Sequence, residues 1–309
     1  MKKYACIISV FIFLSSFNSK AQVAKDSVKL WSTGGIMNLA FSQVSLSNWV
    51  AGGENSSSLN ALVKLFANYK KNKMALDNNL DLAYGLTKKG SDPYFKNDDR
   101  IDFASKLGYV LDEKWYSTFL FNFKTQFYEG KKTAKDSVRI SNFMAPAYLL
   151  ASLGLDYKPS KIFSLFISLA TGRVTIVNDT KLADDGAFGV DKAILDTSGK
   201  VITHGKKIRY EFGSYMKIVI DKDIMKNVNL QSKLELFSNY NQEPQNLVIN
   251  WDFLLNMKIN KFLSATINTL LIYDPKAKVS AINALGKQEM IGPRTQFKEL
   301  VGLGLSYKF

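Results

Sequence analysis

Between Phe297 and the end of the chain, Phe297, Val301, Leu303, Leu305, Tyr307 and Phe309 fall on one side of an extended backbone. Lys298, Gly302, Gly304, Ser306 and Lys308 fall on the other. A strand turns successive side chains to opposite faces, so this pattern makes a surface apolar on one side and polar on the other. In a helix the same residues would scatter around the circumference. A wall with lipid outside and water inside needs strands of this kind.

The pattern recurs along the chain and predicts twelve strands. Leu59, Ala61, Val63, Leu65, Ala67 and Tyr69 oppose Asn60, Lys64, Asn68 and Lys70; Leu76, Leu80, Leu82, Tyr84 and Leu86 oppose Asp77, Asn79, Asp81 and Gly85. Ile101, Phe103, Leu107, Tyr109 and Leu111 oppose Asp102, Lys106 and Gly108, and Trp115, Phe119, Phe121, Phe123 and Phe127 oppose Asn122, Lys124 and Gln126. Ile208 to Ile220, Val228 to Leu236 and Leu247 to Met257 keep the rule; strands near Ile36 to Leu46, Ala147 to Tyr157 and Lys161 to Ala170 carry it less clearly. Tight joins near Lys71–Lys73, Asp112–Glu113, Pro159–Ser160, Asp221 to Met225 and Asn260 alternate with longer ones near Ser47 to Ser57, Lys88 to Asn97, Glu129 to Ala145, Thr171 to Gly205, Tyr240 to Gln245 and Asp274 to Gln296. The expected fold is therefore all-β: a closed transmembrane antiparallel barrel of about twelve strands, with short periplasmic turns, long outer loops and both termini periplasmic. A soluble lipid-binding or sandwich protein could show similar alternation, but needs fewer outward aromatic runs. The terminal Phe309 also resembles the strand signal by which the barrel-assembly machinery of the outer membrane recognises its clients.

Lys2 and Lys3, an apolar run from Tyr4 to Leu14 and the small residues around Ser19–Ala21 read as a signal peptide over 1–21, cleaved after Ala21. The remainder, 22–309, reads as one outer-membrane barrel domain of a Gram-negative bacterium, with a short periplasmic lead-in over 22–33. The one cysteine, Cys6, lies before the apolar run, so thiolate metal sites, disulfides and cysteine catalysis are not expected of the mature chain. The formal charge of +14 has no nucleic-acid-binding motif to go with it. Outer-membrane lipid and anionic lipopolysaccharide are the expected counter-charges.

The segment from Phe41 to Ser56, with Ser47-Asn-Trp49 followed by Gly52-Gly-Glu-Asn55, resembles the DUF3078 proteins, a group of Gram-negative outer-membrane barrels of unassigned role. The resemblance is read over the whole mature chain; it implies a barrel and brings no catalytic residues with it.

Function then rests on the inward face. The candidate lumen set is Lys64, Asp81, Asp102, Lys106, Lys124, Arg209, Glu211, Lys217, Lys233, Glu235 and Asp252, with Asp77, Lys258 and Lys298 on the same face. Such charges either line a solute path, where the cationic excess favours anions, or pair across strands to hold the wall together. Tyr148, Leu150, Ile162 and Phe166 suggest a packed or ligand-binding apolar sector. Ser47, Trp49, Gly52, Gly53, Glu54 and Asn55 form a candidate mouth or plug, with Trp49 packed inward or left at the lipid interface. His204 is the only histidine and stands alone in the sequence of a long loop, where a histidine is far more often solvated than catalytic, so no enzyme is expected. Asp98–Asp99 and Asp184–Asp185 read as loop charges, Asn178 to Gly186 departs from calcium-loop spacing, and neither cofactor nor metal is expected. Three functions fit these residues: a narrow or gated channel for small solutes, anionic ones among them; a non-conducting barrel that scaffolds or assists an unidentified envelope protein partner; and, as the most distant alternative, an outer-membrane enzyme.

Overall fold

A computed structural model describes residues 30–46, 54–131, 133–241, 244–277, 279–282 and 288–309. The expected signal peptide and its cleavage site, and Ser47, Trp49, Gly52 and Gly53 of the candidate mouth, lie outside the described residues.

Twelve strands make the wall: β1 (Trp31–Val44), β2 (Ser56–Lys71), β3 (Met74–Lys89), β4 (Phe95–Val110), β5 (Trp115–Thr125), β6 (Ala147–Tyr157), β7 (Phe163–Ile176), β8 (Ile208–Met225), β9 (Val228–Asn239), β10 (Val248–Lys258), β11 (Leu263–Tyr273) and β12 (Gln296–Lys308). Each pairs antiparallel with its chain neighbours, and β12 pairs with β1 to close the barrel. Closure is what allows a sheet to cross lipid, since an open edge would leave backbone donors and acceptors unpaired there. The closing seam runs from Ile36 opposite Lys308 to Phe41 opposite Leu303, and Phe309 exchanges hydrogen bonds of 3.0 and 3.1 Å with Gly35. The first and last strands thus meet at the end that carries the short turns.

Several boundaries differ from the sequence reading. Trp31 to Thr33 already pair with β2, so the lead-in expected over 22–33 stops before them. The β8 strand runs through Asp221 to Met225, and the turn is Lys226–Asn227, with Asn227 at φ 66°. Three consecutive polar residues read as a turn there only because the strand projects past the apolar belt. The β3–β4 join is confined to residues 90–94. Strand β7 extends beyond Ala170 because a bulge interrupts the alternation: its pairing with β6 and with β8 shifts register at this point, and Ser168 Oγ donates to Leu153 O at 2.6 Å while accepting from Ala170 N at 3.1 Å. Beyond the bulge Thr171, Arg173 and Thr175 are buried on the inner face.

The outer face is apolar and exposed, including Phe41, Leu59, Phe119, Leu153, Leu169, Trp251, Val301, Leu303 and Leu305. Aromatic pairs border it at both ends. Trp31–Tyr69, Trp115–Tyr157 and Tyr307–Phe309, with ring centroids 5.1, 4.7 and 5.8 Å apart, lie toward the short turns. Tyr84–Phe127 and Phe212–Tyr240, at 6.3 and 5.9 Å, lie toward the long loops. An apolar band between two aromatic girdles is the form of a barrel seated in a bilayer.

Candidate functional site

Every residue of the candidate lumen set faces inward, and the structure brings the set together in three tiers. Strand alternation carries each charge to the interior; there an ion stripped of water is costly unless paired. In the middle tier, Lys233 lies 3.0 Å from Asp102 and 3.5 Å from Asp81, Lys217 lies 3.4 Å from Glu235, and Lys124 bonds Glu235. Arg100 bonds Asp252 in the same tier. Toward the short turns, Lys106 bonds Asp156 at 2.9 Å and Lys158 bonds Asp77 at 2.5 Å. Toward the loops, Arg173 bonds Asp274 at 2.9 Å and Arg209 lies 3.3 Å from Glu211.

The partners' positions matter more than their number. Strands β4 and β10 stand on opposite sides of the ring, yet Arg100 reaches Asp252 across it. Lys233 on β9 reaches Asp81 on β3 and Asp102 on β4, Lys64 on β2 donates to Gln231 on β9 at 3.1 Å, and Lys298 on β12 bonds Asp98 on β4 at 2.5 Å. A circular ring of twelve strands ~4.8 Å apart and tilted ~40° has a backbone diameter of about 24 Å. An Arg–Asp pair spans about 13 Å between Cα atoms, counting ~7 Å for the arginine, ~3.5 Å for the aspartate and a hydrogen bond between them. The barrel is therefore flattened where β4 faces β10, and its middle is bridged.

An apolar cluster fills the adjoining sector. Leu120, Leu150, Phe166, Tyr215, Phe237 and Val248 are all buried, with Lys106 Nζ 5.4 Å over the Phe166 ring. Leu150 and Phe166 thus join the expected packed sector and Arg173 covers the ring of Tyr148 at 5.3 Å, whereas Ile162 is exposed in the turn before β7. A cavity of about 50 Å³ remains beside the seam, lined in part by Asn38, Asn60, Asp98, Thr266 and Asn268.

Alternation did not reveal all the lumen charges. Arg100 shares a face with Asp102 and Asp156 with Ser152, so both were within reach of the pattern. Arg173 was hidden by the bulge and Asp274 by its place just beyond β11. Lys258 is exposed at the turn end, and among the described residues every other inward cation of the set except Lys64, which donates to Gln231, lies within ion-pair distance of a carboxylate. Asp98, Asp156 and Asp274 add three carboxylates to the inward face, but Arg100, Lys158 and Arg173 add three cations, so the cationic excess expected from sequence persists as a count while most of its members are paired. Asp98 and Asp99 belong to β4 and not to a loop; Asp99 bonds Lys96 at 2.8 Å and accepts from Phe127 N and Tyr128 N at 2.7 and 3.0 Å.

Over the loop end lies a folded connection, 177–207. Its short helix α1 (Thr180–Asp184) is capped by Asp179, which accepts from Leu182 N. Val177, Leu182, Ala183, Ala187 and Val190 pack with Ala145 of the preceding loop. Arg209 of the upper tier donates to Gly189 O at 3.2 Å, tying this connection to the lumen. Asp184 accepts from Gly205 N at 2.7 Å and from His204 Nδ1 at 2.9 Å; the backbone donor first, then the imidazole, hold its carboxyl below the usual range. Of the candidate mouth, Asn55 accepts from Leu46 N at 2.6 Å through its side chain and from Gly90 N at 2.7 Å through its carbonyl, while Glu54 is exposed near Gly90.

The chain resembles several solved structures at low identity. An outer membrane channel from Pseudomonas putida F1 is 10% identical, with 93% of this chain and 100% of that chain covered and a TM-score of 0.40. The translocator domain of autotransporter NalP from Neisseria meningitidis is 8% identical over 99% and 96% of the two chains, with a TM-score of 0.36. The NanC porin is 10% identical over 89% and 100%, also with a TM-score of 0.36. No curated protein matches the chain in sequence. The family resemblance read from Phe41 to Ser56 holds over a defined stretch, shorter than the whole mature chain: residues 41–130, from the end of β1 through β5, match the family described as "Protein of unknown function (DUF3078)".

Proposed function

We propose that the chain is an outer-membrane β-barrel of a Gram-negative bacterium, forming a gated path for small solutes that is shut in this conformation. The observation that carries the proposal is the set of salt bridges joining β3 and β4 to β9 and β10 across the lumen. Location is supported by the closed sheet, the apolar band and its two aromatic girdles. Gating is supported by the chemistry of the closure: ions that part can each regain water, so a charged bridge can open into a hydrated path. The paired lumen gives little ground for preferring anionic solutes. Short turns and both termini on the periplasmic side, recognition of the β12 end by the assembly machinery, and lipopolysaccharide around the long loops complete this reading.

A second reading, a non-conducting barrel that scaffolds an envelope partner, is favoured by one observation. The cluster around Leu120 and Phe166 fills part of the lumen with groups that gain nothing from water. Planar-bilayer recording on protein purified in mild detergent separates the two. A gated path gives rare discrete openings in the wild type and frequent ones in the double variant Arg100→Ala, Lys233→Ala. Silence in both, with a copurifying partner, would establish the scaffold instead.

A further inference from the structure

The outer wall carries a hollow in its apolar band, with a polar side chain at its floor. Along the row Thr33, Ala67, Asn78 and Ser105, four neighbouring strands each present a small or polar residue to the outside. The rows above and below are bulky: Leu65, Leu80 and Phe103 on one side, Tyr69, Leu76 and Leu107 on the other. Thr33, Ala67 and Asn78 of this row, with Leu65, Leu80 and Phe103 of the row above, line a hollow of about 530 Å³ that Phe309 closes on the seam side. A carboxamide on a lipid-facing wall is costly unless its groups are bonded. Asn78 Nδ2 donates to Ala67 O at 3.0 Å and its Oδ1 accepts from Ser105 Oγ at 2.8 Å. An amide nitrogen carries two N–H groups, so one donor remains for a ligand.

Directly below, on the same strands, the hollow meets positive charge. Lys71 ends β2 and Lys73 lies in the following turn; both are exposed, with Lys73 Nζ 6.0 Å over the Tyr109 ring. Lys71 is four residues beyond Ala67, which at ~3.3 Å per residue and ~40° tilt puts it about 10 Å nearer the end of the barrel. The Trp31–Tyr69 pair lies between the two levels. From outside inward along the wall the order is cation, aromatic girdle, hydrogen-bond donor, apolar hollow.

We propose that this face binds one anionic glycerophospholipid of the leaflet at the short-turn end. An acyl chain fills the hollow against Leu65, Leu80 and Phe103, an ester carbonyl accepts from Asn78, and the phosphate lies between Lys71 and Lys73. The proposal rests on the membrane reading above. The vertical order matches a lipid and not a soluble anion, which would have no use for the hollow, and the charge selects an anionic head over a zwitterionic one.

The test uses the full barrel reconstituted into vesicles of phosphatidylethanolamine and phosphatidylglycerol, re-extracted in mild detergent and examined by native mass spectrometry. One phosphatidylglycerol should remain on each wild-type barrel. The double variant Lys71→Ala, Lys73→Ala should retain about thirtyfold less phosphatidylglycerol with unchanged phosphatidylethanolamine, two cations near a membrane surface contributing on that scale. Asn78→Leu, which fills the hollow, should lower retention of both lipids. Gel migration of unheated against boiled protein reports separately whether each variant inserted as a folded barrel. Equal phosphatidylglycerol on wild type and on the folded lysine variant overturns the site. A dimer that disappears with Asn78→Leu overturns it also, and gives the hollow to a second copy of the chain. A wild type that never inserts overturns the membrane reading itself.

Discussion

Replacing Arg100 with leucine tests whether the lumen is closed by charge. The guanidinium is 14% exposed and Asp252, its partner on the opposite wall, 6%. Removing one member of a dry buried pair leaves the other uncompensated and costs about 3–5 kcal/mol, whereas losing an exposed pair costs about 0–1 kcal/mol. A rigid, dry lumen therefore loses several kcal/mol in Arg100→Leu, while one that can hydrate loses little and conducts. The double variant Arg100→Leu, Asp252→Leu removes both ions and should recover stability, because apolar groups of similar volume replace a buried pair at little cost. Urea unfolding in vesicles gives the first quantity and bilayer current gives the second. Gating predicts a small stability loss with frequent openings in the single variant, and restored stability with silence in the double. A single variant that is both as stable and as silent as wild type would show that the Arg100–Asp252 bridge does not hold the lumen shut.

Leu303→Arg places a charge on an outward side chain that is 53% exposed and should cost about 2–4 kcal/mol near the bilayer midplane, read as less heat-modifiable protein. Ser306→Arg, expected from alternation alone to be tolerated if the lumen has room, meets a position 6% exposed opposite Asn38 and should also destabilise, by about 1–3 kcal/mol from overpacking. Gly213→Ala would put a Cβ 1.8 Å from Ser238 O in the β8–β9 pairing, so the folded fraction should fall sharply on the same gel. Asp184 titrates below its ordinary value, so its contribution to holding the 177–207 connection is present above a pH of about 3.9 and lost as pH falls through the lower folded value. Asp184→Asn should make that connection cleavable at neutral pH, while the wild type resists an acid-active protease until the pH drops below about 3.9.

Strand number, inward and outward faces, and the alternation of short and long joins were legible along the chain because each depends on residues close in sequence. Period-two patterning decides which face meets lipid, and that local rule placed all eleven candidate lumen residues on the correct side. It failed at Leu169–Ala170, where a bulge reverses the count and hides Arg173, and at Asp221–Met225, where a strand leaves the bilayer and no longer needs apolar residues. What only the tertiary structure decided is which charges meet. Arg100 and Asp252 lie on strands six apart in the ring, and nothing local to either specifies that the barrel flattens until they touch. The same holds for the hollow around Asn78, lined from β1, β2, β3 and β4 and closed by Phe309, where strand register brings Thr33, Ala67 and Asn78 into a single row. Sequence set the sign of each face because a side chain's direction is a local property; the ring's closure set the partners because distance across a lumen is a property of the whole sheet.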